Sequence, residues 1–276
     1  MSDRPALNRR GLVDQLRSLG VAPGDLLMVH GSLRKLDLAR ATFGEGGAEL
    51  ILDALVEAVG SSGTLLMTMG TDYAADWVNE RPVAEREGLL VGTAPFQLAG
   101  AAVNKEVGWL AEAFRQRPDT LVSANPSGRF GAAGARAEEL LADQPWDDYY
   151  GPGSPLHKFS DWGGRILRLG AGLDTVTALH YAEYLAEIPN KRRTRWDYLM
   201  EAGLEARHVW ITCLDDSQGV ADWDGEDYFA ALLKEYFALG RHREGEVGTA
   251  RSELIEAADL IEFGARWMEA KLSAPA

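Results

Sequence analysis

Short apolar runs alternate with amphipathic helical stretches along this chain, and that order limits the folds open to it. Leu26 to His30 is an apolar run of strand length. Ala48 to Val59 carries apolar residues at helical spacing up to Gly60, and Thr64 to Met69 is the next apolar run. A strand joined to the next through a helix pairs with it in parallel. The order returns where Ile166 to Leu169 leads into Val176 to Ile188, a helix stopped by Pro189. Asn8–Leu19, Glu106–Arg115, Arg136–Leu141, Glu226–Ala238 and Ser252–Lys271 read as further helices, and His208–Leu214 as an edge strand. The pattern predicts an α/β fold, a three-layer α/β/α arrangement around a largely parallel central sheet. No repeat, low-complexity tract or linker divides the 276 residues. One domain over 1–276 is therefore expected, with the irregular stretch 72–106 as a flap or small insertion.

Composition narrows the chemistry. The single cysteine, Cys213, excludes an internal disulfide and a multi-cysteine metal site. It lies in the apolar run Val209 to Leu214, which predicts a buried, inert thiol. No apolar run approaches the ~18 residues of a membrane span, and the stretch from Met1 to Pro5 lacks a signal core. A cytoplasmic protein is expected. The formal charge of −14 argues against nucleic acid or an anionic membrane as partner and suits a cationic small molecule. His30, His157, His180, His208 and His242 are scattered, with no His-x-x-x-His or His-Glu-x-x-His among them. No metal is expected, and His208 and His242 read as surface residues.

Several segments bear on chemistry. The strand ending at Leu169 runs through Gly170-Ala171-Gly172 into a helix on which His180 and Glu183 lie three residues apart, on one face. A carboxylate beside an imidazole orients the ring and raises its basicity, as a general base requires. The loop His30-Gly31-Ser32-Leu33-Arg34-Lys35 offers backbone N–H groups, a hydroxyl and two cations, which suits phosphate or pyrophosphate. Gly44, Gly46 and Gly47 offer a second cradle or a plain helix-entry turn. Gly153-Ser154-Pro155-Leu156 is not a Gly-x-Ser-x-Gly elbow, which argues against a serine hydrolase. An acidic stretch holds Asp215, Asp216, Asp222, Asp224, Glu226 and Asp227, and Asp72 and Asp174 extend it to a wall that attracts ammonium groups. Gly170-Ala171-Gly172 also matches two-thirds of a dinucleotide fingerprint. However, Thr175 replaces the third glycine, and the basic run from Asn190 to Arg195 falls where an acid is expected. An NADP-linked oxidoreductase is the weaker enzyme reading, and a non-catalytic binder of cationic ligands is the rival of another class.

Together these segments resemble the aminoglycoside 3-N-acetyltransferase (antibiotic N-acetyltransferase) family. The resemblance runs through Leu27-Met28-Val29-His30-Gly31-Ser32-Leu33-Arg34, Val59 to Leu65, Gly153 to Leu156, Leu169 to Glu183 and Gly245 to Ala250. It implies acetyl-CoA as co-substrate, no metal, and the 3-amine of an aminoglycoside antibiotic as acceptor, hence a resistance enzyme. By position it implies His180 and Glu183 as the catalytic pair. It further implies His30, Ser32, Leu33, Arg34, Ser154, Pro155, Leu156 and Thr177 at the coenzyme, and Asp72, Asp174, Asp215 and Asp216 at the acceptor. Gly31 stands where the family carries a serine, Asn125-Pro126 where it carries His-Pro, and Leu214 where many members carry an acid. Another amine as acceptor remains the alternative.

Overall fold

The computed structural model describes residues 8–36, 47–203, 205–225 and 227–273. Along them run α1 (Arg9–Leu19), β1 (Leu26–Gly31), α2 (Gly47–Val59), β2 (Thr64–Thr68), α3 (Val83–Leu90), α4 (Trp109–Gln116), β3 (Leu121–Val122), β4 (Phe130–Gly134), α5 (Ala137–Leu141) and α6 (Pro155–Asp161). They are followed by β5 (Arg165–Leu169), α7 (Leu179–Leu185), β6 (Arg193–Ala202), β7 (Glu205–Leu214), α8 (Tyr228–Ala238), β8 (Arg243–Val247), β9 (Ala250–Glu256) and α9 (Ala257–Leu272).

Seven strands form one sheet in the order β3-β4-β2-β1-β5-β9-β8. Its centre is parallel, as the strand–helix alternation requires: β1 pairs with both β2 and β5 in parallel. Antiparallel strands extend it, β4 and β3 beyond β2, β9 and β8 beyond β5. Side chains alternate across the sheet and feed two cores. Leu27, Val29, Leu65, Met67 and Leu167 pack with α1, α2 and α4. Met28, Leu66 and Ile166 face the other way, toward α6, α7, α8 and α9. That makes the three layers.

Asn8 caps α1, its side chain accepting from the Gly11 N–H, and Gly20 at φ 112° ends it. Two of the expected elements have different bounds. The helix read from Ser252 begins only at Ala257, because Ala250–Glu256 is β9, whose backbone is used in ladders to both β5 and β8. The strand read at His208–Leu214 is the second arm of a hairpin with β6, in register from Arg193–Leu214 to Ala202–Glu205.

The stretch 72–106 holds a 3-10 turn (Asp76–Glu80) and α3, and it is anchored at two points. Asp197 of β6, fully buried, accepts from Arg86 of α3 at 3.1 Å, from Arg195 at 2.6 Å and from His208 Nε2 at 2.8 Å. Burial would raise the Asp197 pKa, but these three donors outweigh it and lower it. Arg129 donates to the carbonyls of Ala101 (2.8 Å) and Ala102 (3.4 Å), and burial lowers its pKa to about 10. His208 is therefore an anchoring residue and not a surface one. His242 likewise has a largely buried ring, 7% exposed.

Candidate active site

Because β1, β2 and β5 run parallel, their carboxyl ends open on one edge of the sheet, where open α/β folds bind ligands. A cleft of about 1590 Å3 lies there, lined by the segments that leave those strands. A second cavity of about 380 Å3 adjoins it, and His180, Asp174, Asp216, Ser217 and Phe229 belong to both.

The backbone delivers His180 to this junction through a braced turn. Arg168 of β5, 1% exposed, pairs with Glu253 of β9 at 3.1 Å and donates to the carbonyls of Ala171 (3.3 Å) and Gly172. Gly170 takes φ 63°, and a Cβ there would lie 3.0 Å from the side chains of Ala250 and Lys35, so glycine is required. Turns closed by Thr175, Leu179 and His180 N–H groups then lead into α7. The helix starts three residues later than Val176, because these residues turn before the helical ladder begins.

His180 Nδ1 lies 2.8 Å from Glu183 Oε2. Tyr150 stacks on the imidazole at 5.0 Å and 11°, and Phe229 meets it edge-on at 5.0 Å and 60°. Glu183 is buried, and its Oε1 accepts from the Tyr228 hydroxyl. Burial alone would lower the His180 pKa, but the Glu183 carboxylate, with Asp216 and Asp227 beyond it, raises it above the usual imidazole value. With Nδ1 held by Glu183, Nε2 is the nitrogen free for chemistry.

The larger cleft carries both signs of charge, and the smaller cavity is mainly acidic. Arg34 and Lys105 bring cations to the larger cleft, Glu106, Asp174 and Asp216 bring acids, and Ser32 and Thr177 bring hydroxyls. Leu33 also lines it, and Gly31 leaves room for Leu110, whose Cδ2 would lie 2.7 Å from a Cβ there. His30 lines the floor as a neutral imidazole, its pKa lowered to about 3 by burial and then by Arg168. The smaller cavity is acidic, with Asp174, Glu183, Asp216, Asp222 and Asp227. Burial raises the Asp216 pKa, His180 opposes this, and the Tyr149 hydroxyl donates to Asp216 Oδ2 at 2.6 Å. Arg192 pairs with Asp222 at 2.7 Å on the rim.

Several expected site residues sit elsewhere. Ser154, Pro155 and Leu156 are buried and do not line the cleft; Ser154 caps α6, its hydroxyl accepting from the His157 N–H at 3.2 Å. Asp72 lies on the surface, paired with Lys105 at 3.5 Å. Asp215 is a turn-builder, its Oδ1 accepting from Ser217 N, Ser217 Oγ and Gln218 N. Gly47 is the first residue of α2, while Gly44, Gly46 and Glu226 lie outside the described residues. Asn125, 4% exposed, donates to the carbonyls of Pro145 and Trp146 and accepts from Ser127 and Gly128, so it shapes the loop that carries Tyr149 and Tyr150. Cys213 is buried, and burial pushes its thiol up to about 12, which leaves no thiolate near neutral pH. Among the described residues no cluster of His, Cys, Asp and Glu is arranged to hold a metal, and no helix is long and apolar enough to cross a membrane.

Tyr149, Tyr150, Tyr228 and Phe229 were missed from the sequence. The available signals were a tyrosine pair in a Pro/Asp/Gly loop, and Asp227 as the cap of a helix opening on Tyr228-Phe229.

The fold that frames this cleft is that of a known class of transferases. The family model for aminoglycoside 3-N-acetyltransferase matches residues 28–269, and the chain belongs to that family of acetyltransferase enzymes. It is 40% identical over 265 residues to aminoglycoside N(3)-acetyltransferase III of Serratia marcescens, covering 94% of this chain and 96% of that one. A solved structure described as AAC-IIIb in a binary complex with CoASH matches with a TM-score of 0.86 at 35% identity, covering 98% and 99% of the two chains. Another, AAC-VIa with sisomicin bound, matches with a TM-score of 0.84 at 34% identity, covering 96% and 98%.

Proposed function

We propose that this protein transfers the acetyl group of acetyl-CoA to the 3-amine of aminoglycoside antibiotics, with His180 as general base and Glu183 as its orienting partner. The observation that carries the reading is the position of His180, held by Glu183 where the cleft that holds Ser32, Arg34 and Lys105 meets a mainly acidic cavity. Coenzyme A is polyanionic and suits the cleft with Ser32, Leu33, Arg34, Thr177 and His30. A polycationic aminoglycoside suits the cavity with Asp174 and Asp216.

The amine is protonated at neutral pH and must first lose a proton. Nε2 of His180 takes it, and Glu183 stabilises the imidazolium through Nδ1–H. The free amine attacks the thioester carbon, and hydroxyls on the cleft wall, Thr177 and Ser32, oppose charge on the oxygen. As the C–S bond breaks, the second amine proton passes to the leaving thiolate, giving the amide and CoASH. The transfer is direct within a ternary complex, because the buried Cys213 thiol is unsuited to carry the acyl group. The reading extends to one acetyltransferase domain over 1–276, with 72–106 as an insertion against the β6–β7 hairpin, working in the cytoplasm where acetyl-CoA is made.

A thiol-release assay with acetyl-CoA and an aminoglycoside panel tests this, with the modified nitrogen located by NMR of the product. Release that depends on the aminoglycoside and acetylates the 3-amine supports the reading. Acetyl-CoA binding without release points to a non-catalytic binder, and release with simpler amines alone points to another acceptor.

A further inference from the structure

Tyr228 joins the catalytic pair to the wall of the acceptor pocket. Asp215 folds residues 215–220 into a compact turn, and Asp216, Ser217, Gln218 and Gly219 of that turn line the acidic cavity. At its end the Val220 N–H donates to the Tyr228 hydroxyl at 3.3 Å, and that hydroxyl donates to Glu183 Oε1. The other carboxylate oxygen, Oε2, is the one bound to His180. Gly219, at φ 76°, makes room for the tyrosine, since a Cβ there would lie 2.6 Å from Tyr228 Cε1. Tyr228 itself is 7% exposed and packs at right angles to Phe229, ring centres 5.0 Å apart.

A carboxylate bound through one oxygen alone can rotate out of line with its partner. Here each oxygen has its own donor, so the carboxylate plane is set. We propose that Tyr228 is a positioning residue for the transfer, holding Glu183 against His180 and tying that pair to the turn that walls the acceptor pocket. The inference rests on the general-base reading of His180.

Tyr228→Phe removes the hydroxyl and keeps the ring packed on Gly219 and Phe229. Glu183 then samples orientations away from Nδ1, and the imidazolium loses part of its stabilisation. The other groups facing His180 stay in place: Asp216 from the turn, Asp227 at the start of α8, the Tyr150 ring and Phe229. Lys191, which faces Glu183, also stays. The readout is the His180 titration by NMR, with its resonance identified by loss in His180→Ala. The expected result is a fall in the His180 pKa of about half to one pH unit in Tyr228→Phe. With it, kcat falls about tenfold while KM for acetyl-CoA holds. A His180 titration that is unchanged or moves upward overturns the proposal. Gly219→Ala, which drives a methyl into the Tyr228 ring, serves as a second variant and must move the titration the same way. The titration does not depend on turnover. If His180→Ala keeps normal activity, the general-base reading fails while the role of Tyr228 is still measured.

Discussion

His180 has its protonation set by three carboxylates on three different elements: Glu183 on its own helix, Asp216 after β7 and Asp227 before α8. Only the neutral ring accepts a proton, so kcat/KM falls as pH drops through the raised pKa. The acid limb therefore lies above the ordinary imidazole value of about 6.5, and Asp216→Asn moves it to lower pH. A limb at or below pH 6.5 in the unaltered enzyme contradicts this electrostatic account. At this scale the sequence was partly legible. His180 and Glu183 could be read because both lie on one helix three residues apart. Tyr228, 45 residues from Glu183, could not, because only the tertiary fold brings it there. Asp215 and Asp216 differ in role although adjacent: one side chain turns back to its own backbone and the other faces the cavities.

Helix α6 and the β6–β7 hairpin carry the predictions that belong to whole elements. Ser154 caps α6 and does not line the cleft, so Ser154→Ala costs about 0.5–2 kcal/mol of stability in urea melts. KM for acetyl-CoA stays within twofold, and a tenfold rise shows instead that the hydroxyl reaches the coenzyme. Asp197 joins α3, β6 and β7 through Arg86, Arg195 and His208, so Asp197→Ala leaves the two guanidiniums without their carboxylate and His208 Nε2 without its acceptor, and costs about 3–5 kcal/mol. A loss below about 1 kcal/mol contradicts the anchoring role. The Asp197 pKa is lowered on folding, so its contribution is fully present above the unfolded value of about 3.9. It is lost as pH falls through the lower folded value. The parallel centre was legible from strand–helix order. β9 was not, because the Leu254-Ile255 stretch fits helical and extended backbone alike, and only pairing with β5 and β8 decides.

Charge distribution over the whole molecule turns a bulk property into a local one. A formal charge of −14 points to no particular site until part of it gathers around one cavity beside His180. Salt should therefore act on the acceptor. Raising ionic strength from about 0.05 to 0.5 M shortens the screening length several-fold and raises KM for a polycationic aminoglycoside at nearly constant saturating kcat. A KM indifferent to salt contradicts acidic capture. The composition suggested a cationic ligand, and the motif order suggested the coenzyme. The gathering of Asp174, Asp216, Asp222 and Asp227 around one cavity with His180 appears only in the folded chain. The most direct test compares thiol release from acetyl-CoA, with a saturating aminoglycoside, by the unaltered protein and by His180→Ala. Robust release by the first and a kcat lower by about 10²–10⁴-fold in a folded His180→Ala protein is the predicted result, and near-normal turnover without the imidazole contradicts the account.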